Sequence, residues 1–309
     1  MAAQQSYRIF DITLSRRTQV SASLVRFTFS GPDVGQMATH APDQRIKLFF
    51  PQADVSLNSL LEIAKLEEHD WYEAYRALPD AQRPPMRTYT IRALRPELAE
   101  VDVEYVLHGD NGPASRWAMH ARPGDRLAMT APAANAEGPK LGYEWKPPQD
   151  VRRILIIADE TALPAAAGIL ETLDDLPLKP KVEALLEVPR SDDVQPLPQV
   201  AKLRWLARDA EPNCQHGDLL LRALRDIDLQ QEIHALGGNP STAITDDSED
   251  TDAPLWEAAT LDDSAPFYAW IAAETMVAMQ LRRYLINECG LPKQYVTSMG
   301  YWRQGKANG

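Results

Sequence analysis

Arg153-Ile154-Leu155-Ile156-Ile157-Ala158 is an unbroken apolar run of strand length, and its reading decides the fold. A strand with one wet face alternates apolar and polar residues. A strand without alternation has both faces covered, as in a parallel sheet packed between helices. Downstream, apolar spacing predicts a helix over 163–173, a strand over 181–187, another over 202–206, a helix over 218–226, a strand over 267–272 and a helix over 276–288. Strands alternating with helices imply an α/β domain built on a parallel sheet. No Gly-x-Gly-x-x-Gly follows the opening run, so a self-contained dinucleotide site on this domain is not expected.

Upstream of the run the style changes. Residues 138–150, rich in Gly, Pro and Lys and containing Pro147-Pro148, read as a linker. Before them, Leu24-Val25-Arg26-Phe27-Thr28-Phe29-Ser30 and Arg45-Ile46-Lys47-Leu48-Phe49-Phe50 alternate with period two between turns such as Gly31-Pro32-Asp33. Further strands are predicted over 87–93, 101–108 and 126–130. Many short strands with turn punctuation indicate an antiparallel β-barrel. Helical spacing around Trp71, Tyr72 and Tyr75 marks an insertion at about 56–80. The expected organisation is a barrel domain over 1–148 and an α/β domain over 149–309.

The 309 residues carry a net charge of −12, with 44% hydrophobic and 25% charged residues, the composition of an ordinary globular protein. The acidic balance argues against a nucleic-acid partner. Part of it lies in Asp246-Asp247-Ser248-Glu249-Asp250-Thr251-Asp252, a polar tract without periodicity that reads as a solvated loop. The first residues lack the basic start and apolar core of a secretion signal. No apolar run approaches the roughly 18 residues of a membrane span. Cys214 and Cys289 form no close pair, and a reducing cytoplasm with no membrane partner is expected.

Two strings suggest chemistry. In Arg87-Thr88-Tyr89-Thr90-Ile91-Arg92, strand alternation gives Arg87, Tyr89 and Ile91 one face and Thr88, Thr90 and Arg92 the other. Guanidiniums bind phosphates with paired charge-assisted bonds, a tyrosine offers a surface to a planar ring, and a threonine hydroxyl can bond a ring nitrogen. In His108-Gly109-Asp110-Asn111-Gly112-Pro113-Ala114-Ser115-Arg116-Trp117, a strand end and turn lead into a helix whose first amides and Ser115 suit a pyrophosphate. A plain turn hydrogen bond explains His108 equally well. Glu160, at the end of the opening strand, lies where ligands of α/β sheets bind, and also where a carboxylate would stabilise a helix start.

Taken in order, Arg87-x-Tyr89-Thr90-x-Arg92, then His108-Gly109 with Gly112-Pro113-Ala114-Ser115-x-Trp117, then Ala158-Asp159-Glu160-Thr161, Trp270-x-Ala272-x-Glu274 and Gly300-Tyr301-Trp302-Arg303-x-Gly305 resemble the siderophore-interacting protein family. Its members are flavin-dependent ferric-siderophore reductases of the ferredoxin-reductase-like superfamily. The resemblance implies an N-terminal flavin-binding barrel, a C-terminal NAD(P)H-binding α/β domain, and FAD with NADPH or NADH as cofactors. Tyr89 and Thr90 would be catalytic, and Arg87, Tyr89 and Thr90 would line the flavin ring and ribityl chain. Arg92 would lie near the phosphates, with His108, Gly109, Gly112, Pro113, Ala114, Ser115 and Trp117 around the pyrophosphate and adenine. Asp159 and Thr161 would approach the flavin from the second domain, Glu160 and Glu274 would meet the nicotinamide, and Tyr301, Trp302 and Arg303 would fold back to the cofactor. The aromatic pair Tyr301-Trp302 also suits a plug for an apolar groove. Ala272-Ala273 stand where a glycine is common in the family.

An anionic ferric siderophore is the implied substrate, with Lys47, Arg116, Arg126 and Arg303 as candidate docking cations. No metal site on the protein is expected, because no His/Cys cluster has ligand spacing. A ferredoxin as electron donor, an acceptor other than a siderophore, and a non-catalytic flavin or siderophore carrier are the competing readings.

Overall fold

A computed structural model describes residues 6–52, 54–65, 71–107, 109–110, 112–239 and 255–305. His108 and the acidic tract at 246–252 lie outside the described residues. The chain divides into two compact units, Met1–Tyr143 with Ala307–Gly309, and Glu144–Lys306.

The first unit holds β1 (Tyr7–Gln19), β2 (Leu24–Ser30), β3 (Arg45–Phe49), α1 (Asn58–Ile63), α2 (Trp71–Ala77), β4 (Met86–Thr90), β5 (Ala93–Arg95), β6 (Glu100–Val106), α3 (Pro113–His120) and β7 (Arg126–Pro132). Among the described residues the strands form one antiparallel sheet in the order β4-β3-β7-β1-β2-β6-β5. Laid flat, edges six strand spacings apart would be separated by roughly 29 Å. Yet β4 and β5 are those two edges, and only Ile91 and Arg92 join them, a reach of about 11 Å at most. The sheet must therefore curl until its edges nearly meet, which is the expected barrel.

The same junction corrects one expected element. The strand predicted over 87–93 is two strands, because the chain leaves β3 after Thr90 and crosses to β6. Ile91 N donates to Gln44 O at 2.9 Å and Arg92 N to Asp102 O at 2.9 Å. The expected alternation holds up to Thr90 and then breaks. The inward side chains fill the barrel with rings: Phe27, Phe29, Phe50 and Tyr105 are buried, and Trp117 of α3 packs on all four at 5.3–6.0 Å between centroids. The insertion's α1 and α2 cover a second apolar cluster around Phe49, Leu60 and Tyr75.

The second unit holds β8 (Arg153–Ala158), α4 (Leu163–Asp174), β9 (Lys181–Val188), β10 (Ala201–Ala207), α5 (Asp218–Arg225), α6 (Gln230–Ala235), β11 (Trp256–Glu257), β12 (Phe267–Glu274), α7 (Thr275–Arg283) and β13 (Val296–Trp302). Their order is β10-β9-β8-β12-β13-β11, parallel except for the antiparallel edge β11. The opening run is central: every residue of β8 is buried, with β9 and β12 on either side. β13 has no counterpart in the sequence reading, which treated its end as a returning tail. It pairs in parallel with β12, and Gly300 lets it pass close to the start of α7: a Cβ there would lie 2.5 Å from Thr275 Oγ1. No helix among the described residues is long and apolar enough to cross a membrane.

Candidate functional site

In the first unit, β3 and β4 are in register with Ile46 opposite Tyr89 and Lys47 opposite Thr88. Ile46 belongs to the barrel core, so Tyr89 faces inward, its ring 4.2 Å from that of Tyr105. Burial pushes the Tyr89 hydroxyl well above the usual phenol range, with Arg87 opposing weakly. Tyr105 in turn lies 6.0 Å from Trp117, so a file of rings links β4 to α3. Trp117 thus turns into the barrel core. Thr88 is exposed, Thr90 is buried, and Arg87 donates to the Met86 carbonyl at 2.7 Å.

Arg92 is drawn by the strand crossing toward Glu104, with Nε at 3.8 Å. Arg26 reaches the same carboxylate at 2.5 and 2.9 Å. Two guanidiniums thus gather at one carboxylate. Helix α3 begins at Pro113 with Gly112 at its N-cap, so no side chain caps it among the described residues, and a Cβ on Gly112 would meet nothing within 4 Å. Ala114 is buried, while Ser115 and Gly112 are half-buried, and Gly109 takes a φ of +82° that favours glycine. An aromatic face, a pair of guanidiniums and a helix start with no side-chain cap among the described residues are the donor set a flavin dinucleotide needs. These residues fit FAD.

Of the candidate docking cations, Lys47, Arg116 and Arg126 belong to the first unit. Lys47 Nζ donates to Thr88 Oγ1 at 2.6 Å, and burial lowers its pKa, helped by Arg45. Lys47 lies opposite Thr130 on β7, whereas Arg126 begins that strand, about 13 Å away at 3.3 Å per residue. Arg126 is paired with Asp11, and Arg116 with Asp110 at 2.9 Å. Arg303 follows β13 in the other unit and is half-buried.

In the second unit, the C-terminal ends of the parallel strands carry a buried charged network. Asp159, just after β8, accepts from Thr161 Oγ1 at 2.5 Å, Thr161 N at 2.9 Å, Glu274 N at 2.8 Å and Trp302 Nε1 at 2.9 Å. His216 Nε2 lies 3.1 Å from the same carboxylate, and its ring stands edge-on to Trp302 at 5.2 Å. Burial would raise the Asp159 carboxyl, but His216, Thr161 and Trp302 together hold it below the usual carboxylate range. Burial would likewise lower His216, yet the bond to Asp159 and the charges of Asp159 and Glu160 raise it above its ordinary 6.5.

Both Glu160 oxygens are taken by Arg208, at 2.7 and 3.0 Å, and Arg208 also donates to Glu187 at 2.9 Å. Burial raises the Glu187 carboxyl against the Gly217 amide, His216 and Arg208. Gly217 is required here. Its φ is +88°, its N donates to Glu187 at 2.8 Å, and a Cβ would sit 2.5 Å from Val277 Cγ2. Asp159, Glu160 and His216 offer ligand atoms within 4.8 Å of one another, but Arg208 and the bonds to Asp159 occupy the carboxylates, so the group is an ion-pair network.

Glu274 caps α7, accepting from Met276 N at 2.6 Å and Val277 N at 3.1 Å, while its other oxygen accepts from Gln304 N at 3.1 Å. Tyr301 stacks parallel to Trp256 at 6.3 Å. The structure therefore brings together Asp159, Glu160, Thr161, Glu274 and Trp302. It adds His216, Arg208 and Glu187, which the motif reading missed. For two of them a signal was available: Arg208 directly follows a parallel strand, Glu187 is the last but one residue of another, and ligands of such sheets gather at those ends.

Two family models match the chain: the siderophore-interacting FAD-binding domain over residues 13–136, and siderophore-interacting protein over residues 151–305. The ferric vibriobactin reductase ViuB of Vibrio cholerae is 27% identical over 294 residues, 94% of this chain and 88% of that protein. The NADPH-dependent ferric-chelate reductase of Escherichia coli is 32% identical over 208 residues, 66% of this chain and 73% of that protein. The crystal structure of the siderophore-interacting protein SipS from Aeromonas hydrophila matches with a TM-score of 0.64 at 25% identity, covering 98% of this chain and 94% of that one.

Proposed function

Because the chain belongs to the siderophore-interacting protein family, with a ferredoxin-reductase-like fold, we propose that it is a flavin-dependent reductase that uses NAD(P)H to reduce Fe(III) in a siderophore. The observation that carries this reading is the set formed by the Tyr89 face, the Arg26–Arg92 pair sharing Glu104, and the uncapped start of α3. Residues 1–148 would hold the flavin and 149–309 the nicotinamide nucleotide. When bound, FAD supplies the exchange between a two-electron hydride donor and a one-electron metal acceptor. The balance is NAD(P)H plus two Fe(III) giving NAD(P)+, two Fe(II) and one proton. Oxygen-donor chelators hold Fe(III) much more firmly than Fe(II), so reduction loosens the metal.

In this reading Tyr89 presents its ring to the flavin, Thr90 its hydroxyl, and Arg92 and the amides of α3 hold the phosphates. Asp159, Glu160 and Glu274 act through what they hold, namely Trp302 and Thr161, Arg208, and the backbone of Gln304. Lys47, beside Thr88, is the docking cation assigned to an anionic chelate, since Arg116 and Arg126 already have carboxylate partners. Free thiols at Cys214 and Cys289 support a cytoplasmic location.

The test is an anaerobic spectrum of the FAD-loaded protein with NADH, NADPH or a reduced ferredoxin, followed by ferric chelates. Bleaching by a nicotinamide nucleotide and chelate-dependent reoxidation are expected. Bleaching by ferredoxin alone would replace the donor, and a flavin that no donor bleaches would overturn the reading.

A further inference from the structure

The ends of β9 and β10 carry charges that the network above leaves aside. Ser191, three residues past β9, donates from N at 2.9 Å and Oγ at 2.7 Å to Asp209 Oδ1, two residues past β10. This ties Arg190, Asp192 and Asp209 into one exposed rim. Arg190 is gripped in a fork by Asp192, at 2.9 and 3.1 Å, and its amide donates to the buried Asp193. Arg208, the other guanidinium at these strand ends, is spent on Glu160 and Glu187. Asp209 Oδ2 takes no hydrogen bond among the described residues.

In sheets of this order that bind a dinucleotide, the ligand lies across the strand ends, and the carboxylate that meets the adenosine ribose stands near the end of the strand beside the first one. That strand is β9, neighbour of β8. A carboxylate there accepts from the ribose 2′-hydroxyl, whereas a 2′-phosphate needs an arginine with free donors. Here each guanidinium already has a carboxylate, and the rim formed by Arg190, Asp192 and Asp209 carries one net negative charge.

We propose that Asp192 and Asp209 set the specificity of the nucleotide site for NADH over NADPH, Asp209 by accepting from the ribose diol and Asp192 by occupying Arg190. The inference rests on the reading that this unit binds a nicotinamide nucleotide. It departs from the name of the relative called NADPH-dependent.

The test is calorimetric titration of the FAD-loaded protein with 5′-AMP and with 2′,5′-ADP, alongside kcat/KM for NADH and NADPH. The wild type is expected to bind 5′-AMP at least as tightly as 2′,5′-ADP and to favour NADH. The double variant Asp192→Asn/Asp209→Asn keeps the Ser191 acceptor and removes two negative charges, so 2′,5′-ADP should gain about tenfold relative to 5′-AMP. Adding Arg190→Ala should cancel that gain. Tighter wild-type binding of 2′,5′-ADP, or an unmoved ratio in the double variant, overturns the specificity inference alone. Failure of both nucleotides to bind overturns the nucleotide-site reading and the inference with it.

Discussion

Replacing His216 by glutamine removes one positive charge from the strand-end network while keeping an N–H donor near Asp159. His216 is 14% exposed, lies 3.1 Å from Asp159 and has its other ring nitrogen 3.9 Å from Glu160 and Glu187. A hydrogen bond to a charged partner is worth about 1.5–3 kcal/mol and a neutral one about 1 kcal/mol. The charged histidine should therefore exceed glutamine by about 1–2 kcal/mol, Arg208 opposing the two glutamates. The folded-state pKa of His216 is raised, so its stabilisation is complete below the ordinary 6.5 and is lost as pH climbs through the folded-state value. Asp159 is shifted the other way, keeping its charge until pH falls below its ordinary 3.8, so it stays ionised across this window. Urea unfolding of wild type and His216→Gln, at equal FAD and with unchanged m, should show a penalty of about 1–2 kcal/mol near pH 6 that shrinks toward zero near pH 9. A penalty that is constant, or larger at pH 9, would refute the argument. So would an imidazole titration by NMR placing His216 below 6.5.

Arg208→Met strips the only guanidinium from Glu160 and Glu187 within the described network and should cost about 3–5 kcal/mol in urea unfolding, recovered in part by Glu187→Gln. Gly217→Ala forces a Cβ onto Val277 at a φ of +88° and should lower stability by about 1–3 kcal/mol, with Val277→Ala relieving the clash but not the backbone strain. Arg92→Ala should weaken FAD retention about tenfold, read from visible flavin absorbance after gel filtration, while the circular dichroism of the barrel is unchanged.

The fold was legible wherever a local pattern carried it. The unbroken run of β8 announced a doubly covered strand, and the alternation of β2 and β3 announced a barrel. β13 was not legible, because Val296-Thr297-Ser298-Met299-Gly300 mixes small polar residues into a strand whose burial comes from α7 and β12 rather than from its own hydrophobicity. The motif strings located Tyr89, Arg92 and the start of α3. They gave no sign that Arg92 shares Glu104 with Arg26, a residue 78 positions from that glutamate. The partners of Asp159 are hidden for the same reason. His216 and Trp302 lie 57 and 143 residues away, and no local periodicity encodes such pairings.

The junction of Ile91 and Arg92 closes the barrel through the chain itself, with the backbone bonds to Gln44 and Asp102 fastening its two sides. Arg92 sits at that fastening, next to the residues assigned to the cofactor. Any ligand that binds only the closed form stabilises it by mass action. Amide exchange at Ile91 and Arg92 would consequently slow as FAD is added, while protection in the strands far from the junction would move only with global stability. The seam of the barrel is a place where occupancy of the flavin site can be read from the backbone, without turnover and without the iron substrate.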